Sequence, residues 1–247
     1  MTENSGERSS LINEPANLTR RAAFLDRDGV LNALLYHQDI GIVDSPFTLA
    51  QFTVLPRVPQ AIRLLNDVGL VVIIISNQPG IAKGHFDESM LRKFDRKLRA
   101  SLRESGARID ATYYCLHHPN AIVKRFRKRC TCRKPGIGML VQAAKDFGIS
   151  LPESYMVGDG LNDIEAGARA GCRTIFLGRW KAEYTNYISP PELHPNFVAK
   201  NLWEAACIIG DDLKVVSKQF PHPAVIPHKE HPQKRLASVN SLSDCSR

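Results

Sequence analysis

The run Leu70-Val71-Val72-Ile73-Ile74-Ile75 is apolar throughout, and all but its first residue are β-branched. A strand of this kind has no polar face to offer to water, so both its faces must be covered. That excludes a sheet with one wet face and asks for helices above and below. The flanking sequence supplies them. Val58, Ala61, Ile62, Leu64, Leu65 and Val68 follow a helical spacing that stops at Gly69. Asp87 is placed to cap a helix carrying Met90, Leu91, Phe94, Leu98 and Leu102 and ending near Gly106. Further strands are expected at 22–26, 111–114, 155–157 and 174–177, and helices at 137–147 and 164–170. Strand and helix alternate. The expected fold is therefore α/β, a doubly wound, mostly parallel sheet with helices on both faces.

The chain has 247 residues, 43% of them apolar, enough for one α/β domain. Residues 1–20 are polar and without periodicity, and are expected to be a disordered segment. Residues 21–210 form the expected domain. Residues 211–247, rich in Pro, His, Lys and Ser, read as a disordered basic tail. No apolar run approaches the roughly 18 residues a membrane helix needs, and no export signal is evident, so the expectation is a cytoplasmic protein without a membrane partner.

Net charge is +8, but it is uneven: 116–134 carries +7 with no acidic residue, and 214–247 carries +4. A surplus held in one loop and one tail suggests a local anion site and not a nucleic-acid-binding face. A non-enzymatic, zinc-stabilised nucleic-acid module is the alternative that the basic loop raises, but it leaves the acidic clusters below without a task.

In parallel sheets ligands collect beyond the C-terminal strand ends. Asp26 ends the first strand, with Asp28 two residues on and Gly29 allowing a tight turn. Two carboxylates there can divide attack or metal binding from proton transfer, although a plain turn would use the same residues. Ser76, Asn77 and Gln78 end the apolar strand, where a hydroxyl and backbone N–H groups can hold phosphate oxygens. Gly158-Asp159-Gly160-Leu161-Asn162-Asp163 brings a second acidic group. Asp159 with Asp26 would suit Mg²⁺, and Asp163 would suit a helix N-cap. Arg133 and Lys134 precede a helix, a natural phosphate site.

Cys115, His117, Cys130 and Cys132 are a candidate Cys₃His site for Zn²⁺, with His118 the competing fourth ligand. Four protein ligands leave no open position, so such zinc would be structural and would hold the loop that carries Arg133 and Lys134.

In this order the motifs FLDRDGV, ISNQPGI, the lysine of CRKPG, and GDGLND resemble those of the haloacid dehalogenase superfamily. YYCLHHP, a long basic loop and CTCRKP narrow the resemblance to its family of heptose bisphosphate and histidinol-phosphate phosphatases. It spans about residues 22–180. The resemblance implies a phosphoric monoester hydrolase that removes the 7-phosphate of a heptose 1,7-bisphosphate through an aspartyl-phosphate. Another small phosphorylated metabolite such as histidinol phosphate is the alternative, and a DNA 3′-phosphatase a more distant one. It implies Asp26 as nucleophile, Asp28 as acid and base, and Ser76 and Lys134 as stabilisers of the transferring phosphoryl group. Asn77, Gln78 and Arg133 become substrate contacts. Mg²⁺ would be held by Asp26, the Asp28 carbonyl and Asp159. The expected partner is a small phosphorylated metabolite, a sugar bisphosphate in the first instance, with no nucleic acid and a monomeric enzyme. Two intervals, 28–76 and 76–134, are filled by core elements, so no large cap domain is expected and the zinc loop would act as a partial lid. Three departures from the family concern sugar recognition: Gly160 stands where lysine is common, the segment Asn32–Phe52 is long, and it offers Gln38-Asp39-Ile40-Gly41-Ile42 in place of Asp-x-Gly-Tyr.

Overall fold

The computed structural model describes residues 20–178 and 194–213. A six-stranded parallel sheet runs through them in the order β5-β4-β1-β6-β7-β8. Its strands are β1 (Ala22–Leu25), β4 (Val71–Asn77), β5 (Ala111–Cys115), β6 (Tyr155–Gly158), β7 (Arg173–Leu177) and β8 (Phe197–Ala199). A separate antiparallel hairpin, β2 (Leu35–His37) and β3 (Ile42–Asp44), follows β1. The helices are α1 (Val58–Asp67), α2 (Pro79–Ala82), α3 (Glu88–Arg103), α4 (Gly138–Phe147), α5 (Leu161–Arg169) and α6 (Leu202–Asp212).

Alternate strand residues feed two cores. Leu25, Val72, Ile74 and Val157 point to the side packed by α1, α3 and α6. Phe24, Ile73, Ile75 and Met156 point to the other, packed by α4 and α5. The β-branched run thus lies in β4 and is buried on both faces, as its composition requires. Local signals agree with the elements. The Asp87 carboxylate accepts from the Met90 N–H at 2.8 Å to cap α3, and Gly148, at φ +63°, ends α4.

Three expected boundaries move. Residues 211 and 212, expected in the C-terminal tail, instead close α6, which runs through Asp212. The Tyr155 hydroxyl bonds to Asp212, and Arg173 forms an ion pair with it, which holds this last turn to the sheet. Arg20, expected in the loose N-terminal segment, already pairs with the end of α4: its N–H donates to the Gly148 carbonyl, and its carbonyl accepts from Ser150. The helix expected from 164 begins at Leu161. Residues 1–19 and 214–247, on which the remaining terminal expectations fall, lie outside the described residues. No described helix is long and apolar enough to cross a membrane.

Candidate active site

β4, β1 and β6 are adjacent: Leu25 at the end of β1 pairs with both Ile74 and Val157, β6 stops one residue further on, and β4 runs on to Asn77 beside it. The chain builds outward from β1 through β4 to β5, then returns to the far side of β1 as β6. The strand order therefore reverses at β1, where such sheets bind ligands. Asp26 follows β1 directly, its N–H still bonded to the Val157 carbonyl at 3.0 Å. A cleft of about 240 Å³ opens there, lined by Asp26, Asp28, Asn77, Arg133, Lys134, Asp159 and Asp163, with Leu34, Asp44 and Ser45 beside the hairpin.

Lys134 is the pivot. It is 3% exposed, and its ammonium reaches Asp26 Oδ1 at 2.9 Å, Asp163 Oδ1 at 2.5 Å and the Ile75 carbonyl at 2.7 Å. Burial disfavours its charge, but the Asp163 and Asp26 carboxylates outweigh burial and raise its pKa. Burial pushes the Asp163 carboxyl up to about 7, against the pull of Lys134. Asp163 also accepts from the Gly160 N–H at 3.1 Å, so one side chain caps α5 and anchors Lys134. Two glycines make room. A Cβ on Gly29, at φ +82°, would lie 2.3 Å from Asp159 Oδ2, and one on Gly158 would lie 2.2 Å from the Asp163 Cβ.

Asp28 sits deeper. Its Oδ1 accepts from Arg27 Nη2 at 3.0 Å and Asn32 Nδ2 at 2.9 Å, and its Oδ2 from Gln78 Nε2 at 2.6 Å. The Asn77 amide is committed to the Lys134 backbone: Oδ1 accepts from its N–H and Nδ2 donates to its carbonyl. Arg133 Nη1 donates to the His117 carbonyl at 3.3 Å.

A second cluster lies at the end of β5. Cys115, His117, Cys130 and Cys132 each offer a ligand atom within 4.8 Å of the others. The sulfurs are 3.2 to 3.6 Å apart, and His117 Nδ1 is 3.3 Å from Cys132 Sγ. Burial and then Lys128 lower the His117 pKa, favouring the neutral imidazole. His118 is outside the cluster, its Nδ1 accepting from the Asn120 N–H.

Residues 131–205 match the HAD-hydrolase-like family model. The D-glycero-β-D-manno-heptose-1,7-bisphosphate 7-phosphatase of Haemophilus ducreyi is 38% identical over 161 residues, which cover 65% of this chain and 84% of the relative. The D-glycero-α-D-manno-heptose-1,7-bisphosphate 7-phosphatase of Photorhabdus laumondii is 36% identical over 157 residues, covering 64% and 81%. The chain belongs to the haloacid dehalogenase superfamily. Within it, the chain falls in the heptose bisphosphate phosphatase family of phosphoric monoester hydrolases. A crystal structure of the D,D-heptose 1,7-bisphosphate phosphatase of B. bronchiseptica, complexed with magnesium and phosphate, superposes with a TM-score of 0.65 at 28% identity. The match covers 78% of this chain and 99% of that one.

The described residues form no large cap domain. Residues in and beside the hairpin, Leu34, Asp44 and Ser45, and Arg133 with Lys134 border the cleft. Lone-pair chemistry decides which metals fit. Asp26, Asp159 and Asp163 bring carboxylate oxygens within 4.8 Å of one another, a hard set that fits Mg²⁺. Sulfur separations of 3.2 to 3.6 Å are near the roughly 3.8 Å edge of a tetrahedron built on Zn–S bonds of about 2.3 Å, so the cysteine cluster fits Zn²⁺.

The structure brings Asp26, Asp28, Lys134, Asp159, Asn77 and Arg133 to one cleft. Ser76 is 1% exposed and lies beneath it, its Oγ accepting from Gln78 Nε2 at 3.1 Å. Gln78 requires a correction. It is expected to contact substrate, yet it is 1% exposed, and both ends of its amide are spent on Arg27, Asp28 and Ser76. Arg27, Asn32 and the ion-paired role of Asp163 are absent from the sequence reading. Arg27 stood in plain view between two acids, where an arginine usually marks a solvated turn.

Proposed function

We propose that the chain hydrolyses the 7-phosphate of D-glycero-D-manno-heptose 1,7-bisphosphate. The observation that carries the chemistry is the buried Lys134–Asp26 pair at the strand-order reversal. The relatives' names support the substrate.

Asp26 is the nucleophile. The Lys134 ammonium and the Arg27 N–H both bind Oδ1, and Oδ2, which carries neither, is the attacking oxygen. It bonds to phosphorus while the bond from phosphorus to the sugar oxygen breaks. Asp28, protonated, gives its proton to that departing oxygen; as a carboxylate it then takes one from the water that hydrolyses the aspartyl-phosphate. Lys134 and Ser76 favour the charge that spreads over the transferring group. Arg133, at the cleft wall, contacts the substrate. Mg²⁺ would be held by Asp26, the Asp28 carbonyl and Asp159, and would supply charge neutralisation for the phosphoryl group. Zn²⁺ on Cys115, His117, Cys130 and Cys132 is structural and fixes the approach to Lys134.

Phosphate release from both anomers of the substrate, measured with Mg²⁺ for wild type and Asp26→Asn, tests the reading. Wild type is expected to turn over, and the variant to lose at least about a thousandfold in kcat while remaining folded. An active Asp26→Asn protein would remove the nucleophile, and a wild type inert on both anomers would remove the substrate. The long segment 32–52, with its hairpin at the cleft, favours histidinol phosphate and other phosphometabolites as the next panel.

A further inference from the structure

Arg27 has the environment of a core phenylalanine and the charge of a cation. It is fully buried, with its guanidinium carbon 5.5 Å from the ring centre of Phe94, 5.7 Å from Tyr114 and 6.0 Å from Phe52. Its Nε and Nη1 have no hydrogen-bond partner among the described residues. A single nitrogen, Nη2, makes its hydrogen bonds, and they run to Asp28 and to Gln78 Oε1 at 2.9 Å. A buried ion pair of this kind is poor as a stabiliser, since apolar side chains of equal volume serve packing as well or better. Stability therefore does not account for it, and the one nitrogen that is used does.

We propose that Arg27, Gln78 and Asn32 form a buried cradle that orients the Asp28 carboxyl for proton transfer, and that Arg27 and Gln78 are positioning residues for the reaction. The inference rests on the role given to Asp28 above. Gln78 is locked in one orientation: its Oε1 faces the guanidinium and its Nε2 the carboxylate, so a flipped amide would set donor against donor. Asn32 closes the third side through Nδ2, and its backbone is tied to the same turn by the Gly29 and Arg27 peptide groups. Gln78 is itself tied to the neighbouring strand by its N–H on the Cys115 carbonyl at 2.8 Å. The cradle therefore joins the nucleophile's turn to the strand end that carries the cysteine cluster. With both oxygens of Asp28 held, its position relative to the phosphoryl group is set before substrate arrives.

The test compares leaving groups. A sugar alkoxide needs a proton as it departs, whereas 4-nitrophenolate does not, and kcat/KM reports steps only through that bond cleavage. Gln78→Met removes both amide contacts at nearly constant volume. It is expected to lower kcat/KM for the heptose bisphosphate by about ten- to a hundredfold, and that for 4-nitrophenyl phosphate by less than about threefold. Arg27→Met should show the same split, with Arg27→Lys in between because it keeps the charge but not the fork. Arg27→Lys also carries the comparison should either methionine variant fail to fold. Equal losses on the two substrates, or no loss on either, in a variant that melts like wild type would overturn the cradle. Failure of the functional reading gives a different result: Asp26→Asn would remain active, whatever the leaving group.

Discussion

Lys134 gives its ammonium to three acceptors, two of them carboxylates, and is itself almost fully buried. Removing it leaves the buried Asp163 and the partly exposed Asp26 side by side without the cation they share. Lys134→Ala is expected to cost about 3–5 kcal/mol of stability, the usual loss when one partner of a buried pair is deleted. Adding Asp163→Asn to that variant should recover part of the loss, because it removes a buried carboxyl that, without Lys134, must either carry an unpaired charge or take up a proton to fold. Urea unfolding at neutral pH measures both, and an additive double variant would contradict the coupling. The raised pKa of Lys134 fixes the sign of its pH effect. Its contribution is complete below the ordinary lysine value of 10.5 and disappears only as the pH climbs through the higher folded value. At this scale the sequence was readable where side chains are short and sit at strand ends, as at Asp26 and Asp159. It was unreadable at Arg27, because burial of a cation is decided by Phe52, Phe94 and Tyr114, which come from distant segments. Gln78 is an intermediate case. Residues two apart along a strand share a face, so Gln78 goes with buried Ser76 and not with Asn77 at the cleft.

The segment from Cys115 to Lys134 behaves as one element whose two ends bring their cysteine sulfurs together. Cys115 closes β5, while Cys130 and Cys132 stand just ahead of Lys134, so the cluster sets where Lys134 enters the core. Between them the chain rides on α2, with the Ile122 and Val123 N–H groups both donating to the Ala82 carbonyl. Stripping zinc with a strong chelator is expected to lower the melting temperature and turnover together. Zinc should restore both, and magnesium added alone should restore neither. Burial raises the Cys115 thiol pKa, so metal binding must displace its proton and zinc affinity should fall as pH falls. Zinc titration with a competing chromophoric chelator at several pH values checks this, and a pH-independent affinity would count against thiolate ligation. Elements with a strong period were legible: β4, α1 and α3 match their sequence signals within a residue or two. The hairpin was not, because Tyr36 and Val43 are apolar yet more than 60% exposed, which defeats an inside–outside pattern. α6 was missed although its start is written as Asn201-x-x-Glu204. Asn201 accepts from the Glu204 N–H at 3.0 Å, and Glu204 accepts from the Lys200 N–H at 2.7 Å.

At the scale of the whole molecule, one sheet separates two cores while its central strands deliver the site. The alternation that buries Phe24 on one face and Leu25 on the other leaves Asp26 as the first residue beyond β1, beside the end of β6 and flanked by the last residues of β4. Site and stability therefore share a frame: a shift of β1 by one residue would exchange both cores and move Asp26 away from Lys134. Such a frame should unfold as one unit even though its cores do not touch. Ile62 belongs to the face with α1, and Ile149 to the face with α4; both are fully buried. Ile62→Val and Ile149→Val should each cost about 1 kcal/mol. Since they share no core neighbours, the double variant should lose their sum to within about 0.5 kcal/mol, in a single transition with an unchanged denaturant slope. Two separate transitions, or a double variant far from the sum, would mean that the sheet does not couple the faces. The tight placement of Asp26 would then have to be explained by its own turn alone.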